Sequence, residues 1–186
     1  MMTRRNFLIG ATTGFFLANL PRVGMANGTG TGGQRSFIEV FSFACPYCYK
    51  LSLQLGIWLP LHPQVKHYAV HIVSSPDDLK LAAAGYAAAV LGKGEAYRAA
   101  FFKAIYEGNQ APDERTMVTV AESLGFKAAA FVDTMKGSDT AELLARSETL
   151  TQQFAITATP TLIIDSQRVR QPDKDPLDIL QEEFGA

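Results

Sequence analysis

A run of apolar and β-branched residues at positions 37–43 predicts a buried strand, because such side chains favour extended backbone. Cys45-Pro46-Tyr47-Cys48 follows this strand directly. Residues 49–58 then have a helical pattern that two prolines, beginning with Pro60, bring to an end. We therefore predict a helix that begins at the cysteine motif, with Pro46 in its first turn, where a missing N–H does no harm.

The patterns further along predict a second strand, a group of helices and a return to strands. Residues 65–73 alternate in part and form the second strand, and residues 161–164 and 168–170 form a hairpin. A last short helix covers residues 176–184. The five helical segments in between cover about residues 75–91, 95–106, 112–125, 127–135 and 138–154. This order predicts an α/β domain over residues 36–186, split by a helical insertion at about 75–153.

The first 26 residues have the features of an export signal peptide. Arg4 and Arg5 give a basic start, residues 7–20 are moderately apolar, and the small residues ending at Ala26 predict cleavage there. The arginine pair resembles a twin-arginine signal, and general secretion is the alternative route. An uncleaved anchor is the other interpretation, but the apolar stretch is shorter than the roughly 20 residues that span a bilayer. A flexible Gly/Thr-rich leader is expected over residues 27–35.

Composition excludes several classes of protein. The chain has 186 residues, of which 47% are apolar and 19% charged, so it is not disordered as a whole. Its formal charge is −1, and removal of the three arginines before residue 27 leaves −4, so no basic field indicates nucleic-acid binding. Two cysteines are too few for a small disulfide scaffold. Together with three histidines they leave little for a metal site, and we predict neither a metal nor a cofactor.

Cys45 and Cys48 lie one helical turn apart, at the junction of a strand and a helix. Two thiols at this spacing can close a disulfide without a large movement of the backbone. The free N–H groups and the dipole of a helix N-terminus favour an anion, so we expect a stabilised Cys45 thiolate. Such a thiolate is a good leaving group and makes the disulfide a stronger oxidant. Cys48, which lies deeper, is expected to be the buried resolving thiol.

Other interpretations of the two cysteines fit the sequence less well. A zinc site needs two more ligands, and the chain has no second cysteine pair. A haem attachment site needs histidine where Tyr49 stands. A structural disulfide normally spans more chain, and an inert thiol pair is the remaining alternative. We therefore favour redox activity.

These features together resemble the DsbA family of thiol:disulfide oxidoreductases, which are exported enzymes with a thioredoxin fold and a helical insertion. The resemblance rests on residues 37–48, on Thr159-Pro160 and on the long helical spacing between them. Taken alone, Pro160 is an ordinary turn proline before an apolar strand. The resemblance implies a redox-active Cys45–Cys48 disulfide and a cis Thr159–Pro160 bond that faces it. It also implies that the backbone of Thr159 pairs with substrate.

Two further positions are weighed against the family pattern. Glu39 lies on the first strand, six residues before Cys45, where the family often has a buried acid that serves proton traffic for the deeper thiol. The alternative is an edge or surface glutamate. Well-known members carry Lys-Tyr on the next strand as a charge partner of that acid, and His67-Tyr68 stands there in this chain. Lys66 lies one residue before the position of that lysine and points to the other face of the sheet. The charge partner of Glu39 is therefore either His67 or missing.

The residues between the two cysteines, Pro46 and Tyr47, depart from the strongly oxidising members, which have Pro-His. Tyr47 carries no charge at neutral pH, and a neutral hydroxyl is a weaker donor to a thiolate than an imidazolium. We therefore predict that the pKa of Cys45 is well below that of a free thiol but above that of the Pro-His members. The reduction potential should be correspondingly more reducing.

Three functions remain open at the level of sequence. The leading one is a periplasmic enzyme that donates its disulfide, through a mixed disulfide on Cys45, to newly exported cysteine-containing proteins. A DsbB-like quinone-linked membrane oxidase would reoxidise it, and a monomer is expected. The second is a glutaredoxin-like or reductase activity, since Cys-Pro-Tyr-Cys is typical of glutaredoxins. The third is a chaperone-like binding protein on a thioredoxin scaffold, because a fold does not fix a function.

Overall fold

The computed structural model describes residues 35–171 and 175–185. The predicted export signal at 1–26, and the predicted leader apart from its last residue, lie outside these ranges. That last residue, Arg35, places its Nε 2.8 Å from Oδ2 of Asp165. Within the described ranges, no helix is both long enough and apolar enough to cross a membrane.

The described chain forms four strands and seven helices, in the predicted order. The strands are β1 (Ser36–Phe41), β2 (Lys66–His71), β3 (Thr161–Ile164) and β4 (Arg168–Arg170). The helices are α1 (Pro46–Leu61), α2 (Pro76–Val90), α3 (Gly94–Tyr106), α4 (Glu114–Ser123), α5 (Ala128–Met135), α6 (Ser138–Gln153) and α7 (Pro176–Phe184). Some bounds differ from the prediction. Pro60 lies inside the last turn of α1 instead of ending it, and β1 and β2 end two residues earlier than predicted, at Phe41 and His71.

The sheet has the strand order β2-β1-β3-β4, with β1 at its centre. Strand β1 pairs in parallel with β2, and helix α1 forms the crossover between them. Strand β3 pairs antiparallel with both β1 and β4. Glu39, in the middle of β1, lies opposite Ala69 on one side and Leu162 on the other. The central position of β1 explains why Glu39 is enclosed by neighbouring strands.

Successive side chains of β1 point to opposite faces of the sheet, and each face is covered by helices. Phe37 packs with residues of α1 and α7 such as Leu51 and Ile179 on one face. Ile38 packs with residues of α2 and α6, including Tyr86 and Leu150, on the other. A third cluster joins the helical insertion to the end of β1, and its largest buried members are Phe41, Phe43, Tyr97, Phe101, Phe102 and Phe131. The predicted α/β, thioredoxin-like fold with an inserted helical subdomain is confirmed.

Candidate active site

Cys45 is the N-cap residue of α1, and this position governs its chemistry. Its backbone is extended, and Pro46 occupies the first helical position, where no N–H is required. The N–H of Cys48 donates to Sγ of Cys45 over 3.3 Å, so the sulfur takes the place of the oxygen of an ordinary N-cap side chain. The sulfur therefore sits where the unpaired N–H groups of the helix favour a negative charge.

The Cys45 thiol is more acidic than an ordinary cysteine. Its pKa is lowered to about 6, chiefly by a hydrogen bond from the Cys48 thiol, while partial burial acts in the opposite direction. A side-chain hydrogen bond with Thr159 and the backbone N–H groups of Cys48 and Tyr47 lower it further. Much of Cys45 is therefore a thiolate at neutral pH, in line with the expectation from the helix N-terminus.

Cys48 has the opposite character. It is fully buried beneath Cys45, and burial is the largest cause that raises the pKa of its thiol. The hydrogen bond to Cys45 and the negative charge of Glu39 raise it further. The structure has both cysteines as free thiols, so it shows the dithiol form, and the Cys45–Cys48 disulfide stays a prediction.

The loop before β3 approaches the cysteines from the side opposite to β2. The Thr159–Pro160 peptide bond is cis, which agrees with the expectation drawn from the family resemblance. The Cys45 thiol donates to the backbone oxygen of Thr159 over 3.4 Å. Pro160 is buried, and Thr161, which follows it, begins β3. The sheet thus holds the backbone of Thr159 beside the reactive sulfur.

Tyr47 acts on Cys45 through its backbone and not through its hydroxyl. Its side chain is 71% exposed and makes no hydrogen bond to any described residue. The Tyr47 N–H, in contrast, contributes to the low pKa of Cys45. The expectation of a weak donor at this position is therefore refined, because the phenol points away into solvent.

Glu39 is enclosed in the protein and is not a surface residue. It has no exposed area, and two cationic or polar side chains meet its carboxylate. Nη2 of Arg98 lies 2.7 and 2.6 Å from the two carboxylate oxygens, and Nε2 of His67 lies 3.1 Å from one of them. Burial by itself raises the pKa of Glu39, but Arg98 and His67 outweigh it and hold the pKa below its ordinary value. We call Glu39, His67 and Arg98 the buried ion cluster.

His67 contacts Glu39, a contact that the sequence alone could not decide. It stands on β2 opposite Phe37, and the two rings stack with centroids 4.8 Å apart. Lys66 is exposed at the start of the strand, as the alternation predicts. His67 therefore contacts the carboxylate of Glu39, and Arg98 contacts it as well.

Arg98, on α3 of the helical insertion, is the residue that sequence reasoning missed. It is 4% exposed, and its guanidinium lies over the ring of Phe41 at 4.7 Å from the centroid. It is 59 positions from Glu39 in the chain, so no local motif connects the two. One signal was available, because Arg98 lies four residues before Phe102 and thus interrupts the apolar face of a helix.

A groove between α1 and α3 reaches the buried ion cluster from the surface. Its volume is about 620 Å³, and His67 and Arg98 are among the residues that line it. Two members of the buried ion cluster, His67 and Arg98, therefore border this cavity. Across residues 35–171 and 175–185, no group of three or more His, Cys, Asp or Glu side chains could hold a metal ion.

Comparisons with known proteins identify the family and the fold of the chain. The family model described as the DSBA-like thioredoxin domain matches residues 65–185. A search of curated proteins finds no relative of significant similarity.

Solved structures show the same fold at low sequence identity. The oxidoreductase DsbA from Xylella fastidiosa is 21% identical, with a TM-score of 0.73 over 83% of this chain and 88% of that one. DsbA from Pseudomonas aeruginosa is 16% identical, with a TM-score of 0.71 over 82% of each chain. A thioredoxin-like oxidoreductase from Silicibacter pomeroyi is 20% identical, with a TM-score of 0.68 over 83% of this chain and 88% of that one. Because the family model covers most of the described residues, the chain belongs to the DsbA-like thioredoxin domain family of thiol:disulfide oxidoreductases.

Proposed function

We propose that this protein donates the Cys45–Cys48 disulfide to newly exported, cysteine-containing proteins in the periplasm. The observation that carries the proposal is the contrast between its two thiols. Cys45 lies at a helix N-terminus with a pKa of about 6, and burial together with Glu39 raises the pKa of Cys48. A stable Cys45 thiolate favours the reduced enzyme, and so it favours transfer of the disulfide to a substrate.

The transfer takes place in two exchange steps. A substrate thiolate attacks Sγ of Cys45, the Cys45–Cys48 bond breaks, and its electron pair leaves on Cys48, which takes up a proton because its pKa is raised. A second substrate thiolate then attacks the substrate sulfur of the mixed disulfide, and Cys45 leaves as a thiolate. The substrate dithiol loses two electrons, and the enzyme disulfide gains them.

Other residues are assigned supporting roles in these steps. The backbone of Thr159, held beside Cys45 by Pro160 and β3, pairs with the bound substrate segment. The carboxylate of Glu39 opposes a thiolate on Cys48, which slows the return attack of Cys48 on the mixed disulfide. Arg98 and His67 hold this carboxylate ionised, so it acts on Cys48 through its charge. Reoxidation of the dithiol is assigned to a DsbB-like, quinone-linked membrane oxidase, and the enzyme acts as a monomer.

A glutaredoxin-like or reductase activity is the second candidate, and one observation favours it. The motif is Cys-Pro-Tyr-Cys, and the Tyr47 side chain points away from Cys45, so no side-chain cation between the cysteines strengthens the thiolate. A pKa of about 6 is closer to that of thioredoxin, roughly 7, than to that of DsbA, roughly 3.5. The two candidates differ in the direction of electron flow.

The reduction potential of Cys45–Cys48 decides between them. The chain from residue 27 onward is equilibrated in glutathione buffers, quenched with acid and alkylated, with the Cys45→Ser variant as a control that forms no internal disulfide. A value of about −120 to −160 mV is expected for a disulfide donor. A value of about −200 mV or lower would contradict the donor function and support the reductase.

A further inference from the structure

The residues just before Cys45 form a short turn that is held in place from outside. We call Ser42–Cys45 the cysteine turn. Within it, the N–H of Ala44 donates to Oγ of Ser42 over 3.0 Å, and the N–H of Cys45 donates to the backbone oxygen of Ser42 over 3.1 Å. These bonds make Ser42 the centre of the turn, so any group that fixes Ser42 also fixes the direction in which Cys45 enters α1.

Asp78, at the start of α2, fixes Ser42. Oγ of Ser42 donates to Oδ1 of Asp78 over 3.0 Å, and both residues are buried. The second oxygen of Asp78 accepts from Ser74 and Ser75, so the carboxylate is anchored on its own side as well. Hydrogen bonds from these serines outweigh burial and keep the pKa of Asp78 below its ordinary value. A charged acceptor holds a hydroxyl more strongly than a neutral one does.

Two further side chains hold Phe43, the next residue of the turn. Its N–H donates to Nε2 of His71 over 3.0 Å, and its backbone oxygen accepts from the hydroxyl of Tyr106 over 3.1 Å. The Phe43 ring also packs on Gly85, where an added Cβ would lie 3.2 Å from the ring. Asp78 and Gly85 belong to α2 and Tyr106 to α3, so it is mainly the helical insertion that holds the cysteine turn in place.

We propose that Asp78 is a positioning residue for Cys45, acting through the hydroxyl of Ser42, so that the helical insertion sets the reactivity of the catalytic thiol. The N–H groups of Tyr47 and Cys48 stabilise the thiolate only when Cys45 caps α1 in this orientation. A loosened turn lets the sulfur drift from these donors, and a few tenths of an ångström weaken a hydrogen bond to sulfur measurably. This proposal rests on the proposed redox function only in treating Cys45 as the reacting thiol.

The test is a double-mutant cycle with the acidity of Cys45 as its readout. Ser42→Ala, Asp78→Ala and the double variant are reduced, and the rate of alkylation of Cys45 by iodoacetamide is measured against pH. Each single change should slow alkylation at pH 6 by about fivefold, and the double variant should be no slower than either single one. Asp78→Asn keeps an acceptor for Ser42, so it should restore most of the rate.

A matched control separates positioning from a general loss of stability. Thr140→Val removes another buried hydroxyl, which bonds the backbone oxygen of Thr134 far along the insertion, and it should leave the alkylation profile unchanged. If Ser42→Ala and Asp78→Ala lower the unfolding free energy while the profile stays that of the wild type, the proposal is wrong. Additive slowing in the double variant would also overturn it. Because iodoacetamide needs no protein substrate, either result stands whether the enzyme proves to be an oxidase or a reductase.

Discussion

The middle of strand β1 and the turn beyond its end stabilise negative charge in different ways. Near its middle, Glu39 lies in the core and is met by the guanidinium of Arg98 and by His67. Just beyond its end, Cys45 is only 9% exposed but lies between the exposed residues Ala44 and Pro46, and we call it the surface site. The groups that stabilise its thiolate are thiol, hydroxyl and backbone donors without a net charge. One anion therefore has a full counter-charge, and the other has hydrogen bonds and a helix N-terminus.

This difference follows from the depth of each group. A buried carboxylate without a counter-charge is costly and takes up a proton instead, so Glu39 stays ionised because Arg98 and His67 meet it. A thiolate that must be attacked and released has to remain near solvent, where weaker neutral donors suffice. Neutral donors also leave its pKa at about 6, within reach of physiological pH, and not locked in one state. The buried ion cluster keeps its carboxylate charged, whereas Cys45 can gain or lose its proton during the reaction.

The largest effect is expected from removing the counter-charge in the core. Arg98→Met leaves the buried carboxylate of Glu39 with His67 alone, which should lower the free energy of unfolding by about 3–5 kcal/mol. Urea denaturation of the reduced protein measures this loss. Lys103→Met, at an exposed position on the same helix, is the matched control and should change the unfolding free energy by less than about 0.5 kcal/mol.

The double variant Glu39→Leu/Arg98→Met tests the cause of that loss. It removes both charges, so it should regain much of the stability that Arg98→Met loses. If the single variant loses no more stability than the Lys103 control, Arg98 is not the counter-charge that Glu39 requires, and Glu39 and Cys45 would not differ in the way described.

A smaller effect is expected from His71, a buried histidine on β2 between the two regions. Burial is the main cause that lowers its pKa to about 4, and its Nε2 accepts from the N–H of Phe43. Between pH 6.5 and pH 4 the unfolded chain binds a proton at this histidine and the folded chain does not. The unfolding free energy should therefore fall by about 3 kcal/mol from this residue as the pH drops through that window.

Denaturation at several pH values checks this contribution against the variant His71→Gln, whose amide oxygen can accept from Phe43 but does not titrate. The stability difference between wild type and variant should shrink as the pH falls from 7 to 4. A difference that stays constant over this range would show that burial does not keep His71 neutral in the folded protein.

The same contrast explains what the sequence could predict. The surface site is local: a strand, the two cysteines and a helix N-terminus follow one another within residues 37–61, so the position of Cys45 as the helix cap was readable from order alone. The buried ion cluster is not local in sequence, because Arg98 meets Glu39 only after two strands and three helices have packed together. The role of Asp78 could not be predicted from the sequence either. Its position after Ser75 indicates the start of a helix, but nothing in the sequence indicates that it binds Ser42 in a distant loop. The sequence motif therefore predicted the two reacting thiols, but the charged side chains around them come together only through tertiary packing.

The smallest effect concerns Tyr47, where the sequence predicted a weak donor and the structure has an exposed ring. Since only its N–H acts on Cys45, Tyr47→Phe should change the pKa of Cys45 by less than about 0.3, as measured by thiolate absorbance against pH. Tyr47→His introduces a cation beside the thiolate and should lower that pKa by about one further unit, with a more oxidising potential. A Cys45 pKa near the unperturbed value of about 8.5 in the wild type would contradict the whole account of the surface site. If the pKa of Cys45 rises by the same amount in both variants, the hydroxyl of Tyr47 itself stabilises the thiolate and has to be counted among its donors.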